Sequence, residues 1–206
     1  MKTTIAFAYA LAFAARLHAE QTRKGSDTPY ISHLLAVTAI ALDHGATENE
    51  AIAALMHDAV EDQGGQKTLE EIRRAFGDQV ASIVAACSDT DESPKPPWRE
   101  RKEAFVARLR TEPYSVRPVV AADKLHNVRD VLRSYRIHGD DLWSHFKGGR
   151  DGTIWYYGAV VDALNQAATS DEKQLNALIQ EISDSFSMLK QAVAERALQL
   201  RPAEPV

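Results

Sequence analysis

The stretch Leu55-Met56-His57-Asp58-Ala59-Val60-Glu61-Asp62 decides how this chain is read. It closes an apolar helical run, Ala53-Ala54-Leu55-Met56, with one imidazole and three carboxylates in six positions. Residues four apart share a helix face, so a continuous helix stacks His57 above Glu61 and Asp58 above Asp62. Acidic residues near a helix C-terminus often sit on a solvated surface, although the helix dipole disfavours them there. That plain reading stands beside a functional one for Glu61 and Asp62. It is weaker for His57 and Asp58, because the residues before them spell a buried helix, where a charge needs a partner.

Two other positions offer one. His33, in Ile31-Ser32-His33-Leu34, opens a helical pattern; an isolated histidine of this kind is ordinarily a satisfied core residue. Asp123 follows Val119-Val120-Ala121-Ala122, and a carboxylate behind such a run costs several kcal/mol unless it is coordinated or neutralised. Two His and two Asp make a nitrogen and oxygen shell that suits manganese, iron or zinc better than calcium or a thiolate-seeking metal.

The rest of the chain carries a helical period, with no alternating β-branched runs between turn signals, so the fold class is all-α. The first helix is expected over 4–20, and a polar loop from Thr22 to Thr28 leads to Pro29 at a first helical position. The second helix carries Tyr30, His33 and Val37 on one face and ends at His44-Gly45. Thr47 and Glu50 spell a capping box that starts the helix running through to Asp62, with Gly64-Gly65 closing it. Thr68 and Glu71 are expected to open the next helix in the same way, as far as Phe76-Gly77. Further helices are expected over 78–88, 98–110 with a basic face of Arg99, Arg101, Lys102 and Arg108, 115–137, 153–167 and 172–198. The proline-rich segment 88–97 reads as a loop, and Pro202 to Val206 should fray. The expectation is one domain over 1–206, a bundle of about nine to eleven helices with its core in 4–167 and the 172–198 helix packed on it.

With 206 residues, 45% of them hydrophobic, the chain can bury one substantial core. A net charge of -5 argues against nucleic acid as the main partner, while leaving room for a local basic patch and a small anionic ligand. The single cysteine, Cys87, excludes an intramolecular disulfide and follows Val80, Ile83 and Val84 in an apolar pattern, so it reads as core. The run Ile5 to Ala15 resembles a secretory signal, but the helical pattern continues through Arg16, Leu17 and His18 into Gln21. It is also shorter than the roughly 20 apolar residues that span a bilayer. It is expected to be the first helix of a cytoplasmic protein with no membrane partner. Nothing in the sequence speaks to oligomeric state.

His33, then His57-Asp58, then Asp123, in that order on an all-α chain, resemble the HD-domain metal-dependent phosphohydrolases. The surrounding blocks are Arg23-Lys24 with Pro29-Tyr30-Ile31-Ser32-His33, Ala53 to Asp62, and Ala122-Asp123-Lys124-Leu125-His126-Asn127-Val128-Arg129. They resemble the hydrolase domain of RelA/SpoT-type alarmone enzymes over roughly residues 5 to 160. The resemblance implies that His33, His57, Asp58 and Asp123 bind one divalent ion, Mn²⁺ in most of that family, with other transition metals as alternatives. It implies that Glu61 and Asp62 orient and deprotonate the attacking water, that Arg23 and Lys24 meet the base and phosphates of a nucleotide, and that Asn127 contacts its sugar. Arg150 and Tyr157 fall where the family has further nucleotide contacts, with Tyr156 a rival to Tyr157. The implied activity is that of a stand-alone guanosine polyphosphate 3′-pyrophosphohydrolase, splitting (p)ppGpp into GDP or GTP and pyrophosphate. An adenosine alarmone or NADPH would use the same chemistry. A non-catalytic alarmone-binding module is a third reading, disfavoured because a binder has no need of Glu61 and Asp62. Val120-Ala121-Ala122 stands where the family usually has Lys-Leu-Ala, which removes one cation.

Overall fold

Helix α8 (Arg117–His138) is the axis of the molecule. Pro118 sits in its first turn, where a missing N–H costs nothing. The next four residues, Val119, Val120, Ala121 and Ala122, are all buried. Small and β-branched side chains there let neighbouring helices approach closely, which carries Asp123 into the centre of the bundle. The computed structural model describes residues 3–90 and 94–199. Around α8 pack α2 (Ile31–Asp43), α3 (Glu48–Met56), α9 (Gly149–Ala167) and the long α10 (Lys173–Gln199). The outer shell is α1 (Ile5–Leu17), α4 (Ala59–Asp62), α5 (Gly65–Phe76), α6 (Asp78–Cys87), α7 (Trp98–Leu109) and a 3-10 segment, Gly139–His145. The buried apolar side chains of all these elements form one contiguous cluster. Among the described residues there is no strand beyond an isolated bridge between Thr22 and Pro29.

The helix starts follow local chemistry. Thr4 Oγ1 accepts from the Ala6 amide at 3.1 Å and starts α1. At α3 the capping box is formed from both sides: Thr47 Oγ1 accepts from the Glu50 amide, and Glu50 Oε2 accepts from the Thr47 amide. Ala10, Phe13 and Ala14 bury one face of α1, and Phe13 meets Phe76 edge to face at 5.7 Å. No described helix is long and apolar enough to cross a membrane.

Four expectations are corrected. The helix begun at Thr47 does not run unbroken to Asp62: α3 ends at Met56, and α4 restarts at Ala59. Asp58, at φ -96° and ψ -2°, occupies the sparsely populated bridge region between helix and strand. Thr68 does not open a helix. α5 begins at Gly65, behind Gly64 at φ 118°, and the Thr68 hydroxyl donates to the Gln63 carbonyl at 2.5 Å. A Cβ on Gly64 would stand 2.8 Å from that hydroxyl, so both the backbone angle and the contact require glycine. Pro29 lies in the bridge to Thr22 rather than in α2. Cys87 is only partly buried, at the end of α6. Residues 88–90 and 94–97 lie outside helices as expected, while 91–93 and the tail from Pro202 fall outside the described residues.

Candidate active site

The interruption between α3 and α4 turns His57 and Asp58 inward together. His57 Nδ1 lies 2.8 Å from the Ala54 carbonyl, which only accepts, so in the neutral ring Nδ1 carries the proton and Nε2 is the atom free to offer a lone pair to the centre of the bundle. His33, in the first turn of α2, brings its own Nε2 to 3.2 Å from that atom. Asp58 Oδ2 stands 3.4 Å from His33 Nε2 and 3.0 Å from His57 Nε2. Asp123 Oδ1, from the middle of α8, is 3.3 and 3.5 Å from the same nitrogens. His33, His57 and Asp58 alone already meet the spacing of a metal-binding group; Asp123 completes it through both imidazoles. His33, His57 and Asp123 are buried, and Asp58 is partly buried.

Two imidazole nitrogens and two carboxylate oxygens converging on one buried point fit a divalent cation, since the nitrogen lone pairs would otherwise face each other. The electrostatics agree. Burial works against charge on His57, yet Asp58 and Asp123 outweigh it and hold the ring well above the usual imidazole range. Burial also works against the two carboxylates, but His57 beside Asp58, and Lys124 beside Asp123, hold both well below theirs. The pocket attracts positive charge.

A second layer fixes the four groups. The Tyr30 hydroxyl donates to Asp58 Oδ2 at 2.6 Å, and its ring stacks on His18 at 5.3 Å. Asn127 Nδ2 donates to Asp123 Oδ1 at 2.5 Å, and Lys124 Nζ to Asp123 Oδ2 at 2.6 Å. His126 Nδ1 is 2.8 Å from His33 Nδ1. Burial, with His33 and Arg23 alongside, pushes His126 down to about 4, so its neutral ring can accept the His33 Nδ1 proton. Tyr30→Phe is expected to weaken divalent-metal affinity by about tenfold with the fold intact; calorimetry giving an unchanged affinity would remove Tyr30 from this role.

The metal-type cluster opens into a cavity of about 170 Å³. Glu61, Arg23 and Asn127 line it, as do Asp89, Lys102, Lys124 and Tyr156. Glu61 Oε1 is 3.0 Å from Lys95 Nζ and 3.7 Å from Arg101; burial and the charge of Asp89 raise its carboxyl above the usual range. Asp62 faces a neighbouring cleft, where it accepts from Gln21 Nε2 at 2.9 Å; burial and Asp58 raise it as well. Arg23 is braced by Asn127 Oδ1 at 3.1 Å and Asp130 Oδ2 at 3.0 Å. Its loop is held by the bond from the Arg23 amide to the Thr28 carbonyl.

Lys24, Arg150 and Tyr157 do not line the cavity. Lys24 is exposed, with Nζ 5.0 Å from the Phe146 ring centre. Arg150 is exposed and pairs with Asp151 at 2.9 Å. Tyr157 is buried against Tyr156 and Phe186. Tyr156 takes the cavity position. The parts unread in the sequence are His126, Asp89 and the inward faces of Lys102 and Lys124. His126 sits three residues beyond Asp123, a spacing that signals a shared helix face; Asp89 lies in a loop and gave no periodic signal.

The HD domain family model matches residues 10–154, well over half of the chain, and the chain belongs to that family. The all-α scaffold is thus that of an HD-domain protein, a class that implies a divalent metal, and His33, His57 and Asp58 offer a possible site for one. Within the family, the chain is 40% identical over 125 residues to the guanosine-3′,5′-bis(diphosphate) 3′-pyrophosphohydrolase MESH1 of Homo sapiens. That alignment covers 59% of this chain and 66% of the relative, just under two thirds of its length. It is 38% identical over 122 residues to a GTP pyrophosphokinase of Streptomyces coelicolor, covering 57% of this chain but 14% of the longer enzyme. A solved structure described as a metazoan ortholog of SpoT that hydrolyzes ppGpp superposes with a TM-score of 0.69 at 27% identity, over 88% of this chain and 97% of the other. The resemblance read from the three sequence blocks is borne out.

Proposed function

We propose that the protein is a Mn²⁺-dependent guanosine polyphosphate 3′-pyrophosphohydrolase that converts (p)ppGpp into GDP or GTP and pyrophosphate. The observation that carries the reading is the convergence of His33, His57, Asp58 and Asp123 on one point, opening onto a cavity lined by Glu61, Arg23 and Asn127. The relatives named for this reaction support the substrate class.

A divalent ion held by these four residues supplies Lewis acidity toward a phosphoryl oxygen and lowers the pKa of a water. The mixed nitrogen and oxygen shell favours a first-row transition metal such as manganese over calcium. Glu61 is the general base of this reading. Its raised carboxyl is a stronger proton acceptor than an exposed glutamate, and Lys95 and Arg101 steady the ionised form. Asp62 orients this end of α4 through Gln21, which also accepts from Gln63 Nε2 at 2.6 Å. Arg23 and Asn127 meet the nucleoside side of the substrate, Lys24 and Arg150 reach it only beyond the cavity, and Tyr157, buried behind Tyr156, supports that wall without touching it. One catalytic domain over 1–206 in the cytoplasm, where nucleotides are abundant, goes with this function.

Purified protein loaded with Mn²⁺ is expected to release pyrophosphate and GDP from ppGpp, and to stop when the metal is chelated. The same assay run on an adenosine alarmone and on NADPH separates the substrates. Tight ppGpp binding without products by chromatography would mark a binding module instead.

A further inference from the structure

The wall of the cavity beyond Asp123 is built from donors with unused capacity. Lys124 Nζ donates to Asp123 Oδ2 and lies 5.6 Å from the Tyr156 ring centre. Lys102 Nζ donates to Asp89 Oδ2 and lies 4.9 Å from the same ring. An ammonium carries three donors, and these are the hydrogen bonds recorded for either group among the described residues. Between them sits Tyr156, only 7% exposed, whose hydroxyl has no hydrogen-bond partner among the described residues. All three side chains line the cavity. Two ammonium groups and an orphaned phenol facing one space are costly without an acceptor. An anion with several oxygens satisfies all of them.

The order of groups along the wall says which anion. From the metal-type cluster it runs Asp123, Lys124, Tyr156, Lys102, Asp89, and Asp89 adjoins Glu61. Arg23 and Asn127 hold a different part of the rim, where they bond each other. With the phosphorus under attack between the cluster and Glu61 and its leaving group, O3′ of the nucleoside, toward Arg23, the second phosphoryl carried by that phosphorus falls against the lysines.

We propose that Lys102, Lys124 and Tyr156 form a subsite for the distal phosphoryl of the pyrophosphate that is removed, and so favour a pyrophosphorylated over a monophosphorylated ribose. This rests on the pyrophosphohydrolase reading above. In the step, the water oxygen bonds to the phosphorus attached to O3′ and the P–O3′ bond breaks with its electron pair going to O3′. One water proton passes to Glu61 while the other stays on the new P–OH of pyrophosphate; Glu61 then returns its proton through solvent to O3′, which leaves as the nucleoside hydroxyl, and inorganic pyrophosphate departs from the Lys102–Tyr156 side.

The test compares two product affinities in Tyr156→Phe, which keeps the ring packed near Trp98 and Trp155, and in Lys102→Gln, with thermal melts to confirm folding. For either variant the inhibition constant of inorganic pyrophosphate and the KM for ppGpp should rise together by about tenfold, the size of one lost charge-assisted hydrogen bond. The inhibition constant of GDP should move less than about twofold. Lys102→Arg, which keeps the charge, should recover most of the pyrophosphate affinity. A shift in GDP instead would assign the wall to the other diphosphate and overturn the proposal, as would unchanged affinity for both. Calorimetry with inorganic pyrophosphate on Mn²⁺-loaded protein, cleared of free metal, separates the two levels. Binding that depends on Lys102 and Tyr156 without ppGpp turnover keeps the subsite and sinks the substrate reading; turnover with pyrophosphate binding indifferent to both does the reverse.

Discussion

His57→Ala is expected to strip the purified protein of its divalent metal and to lower the rate of pyrophosphate release from ppGpp by roughly 10³-fold, equivalent to about 4 kcal/mol of transition-state stabilisation. The size follows from what remains. Without His57 Nε2 the cation site keeps one imidazole, that of His33, between two carboxylates that lie 3.4 and 3.3 Å from it. Loss of a direct ligand exceeds loss of a group behind a ligand, so the effect should be much larger than that of Tyr30→Phe, whose hydroxyl acts through Asp58. Metal content by mass spectrometry and initial rates should fall together. Full metal occupancy in the variant with an unchanged rate would remove His57 from the site.

Much of this site was legible because charge inside an apolar run needs an explanation. His57 and Asp58 after Ala53-Ala54-Leu55-Met56, and Asp123 after Val119 to Ala122, read poorly as ordinary surface residues, and all three are found in one cluster. The all-α class was legible from the same periodicity. What stayed hidden depended on backbone detail that spelling does not encode. Ala59 and Val60 do not break helices by propensity, so nothing marked the interruption at Asp58; tertiary packing, which sets His57 and Asp58 beside His33 and Asp123, overrides propensity there. Tyr156 and Tyr157 differ by one step of 100° on α9, and only the packing of that helix on α7 and α10 decides which of them reaches the cavity. Asp89 comes from a loop without period, and its partners Arg101 and Lys102 looked like part of a solvated basic face until the structure turned them inward.

Asp89→Asn should therefore be the most damaging conservative change away from the cluster. Arg101, only 7% exposed, donates to both Asp89 oxygens at 2.6 Å, and Lys102 donates to one of them at 2.6 Å. An amide keeps the shape but removes the charge, leaving a buried guanidinium with only Glu61, 3.7 Å away, as its counter-ion. Such a loss costs about 3–5 kcal/mol, which for a chain of this size lowers Tm by roughly 6–20 °C. The pH dependence has a definite sign. Burial pushes the Asp89 carboxyl up, but Lys102 and Arg101 pull it down further, so in the folded protein it lies below its ordinary value. A depressed folded pKa gives stability that is present above the unfolded value of about 3.9 and fades as pH falls through the lower folded one. The Tm gap between wild type and Asp89→Asn should thus be constant from neutral pH to about 5 and close only in stronger acid; a gap that widened on acidification would refute the assignment. The same substitution reaches the chemistry. Glu61 is held up first by burial and then by the charge of Asp89, so removing that charge lowers its affinity for a proton and moves the acid limb of the rate profile toward lower pH. Lys102 simultaneously loses the anchor that aims it along the cavity wall. A variant that is less stable, active at lower pH and weaker for pyrophosphate would show that one loop carboxylate holds both the base and the pyrophosphate side of the site.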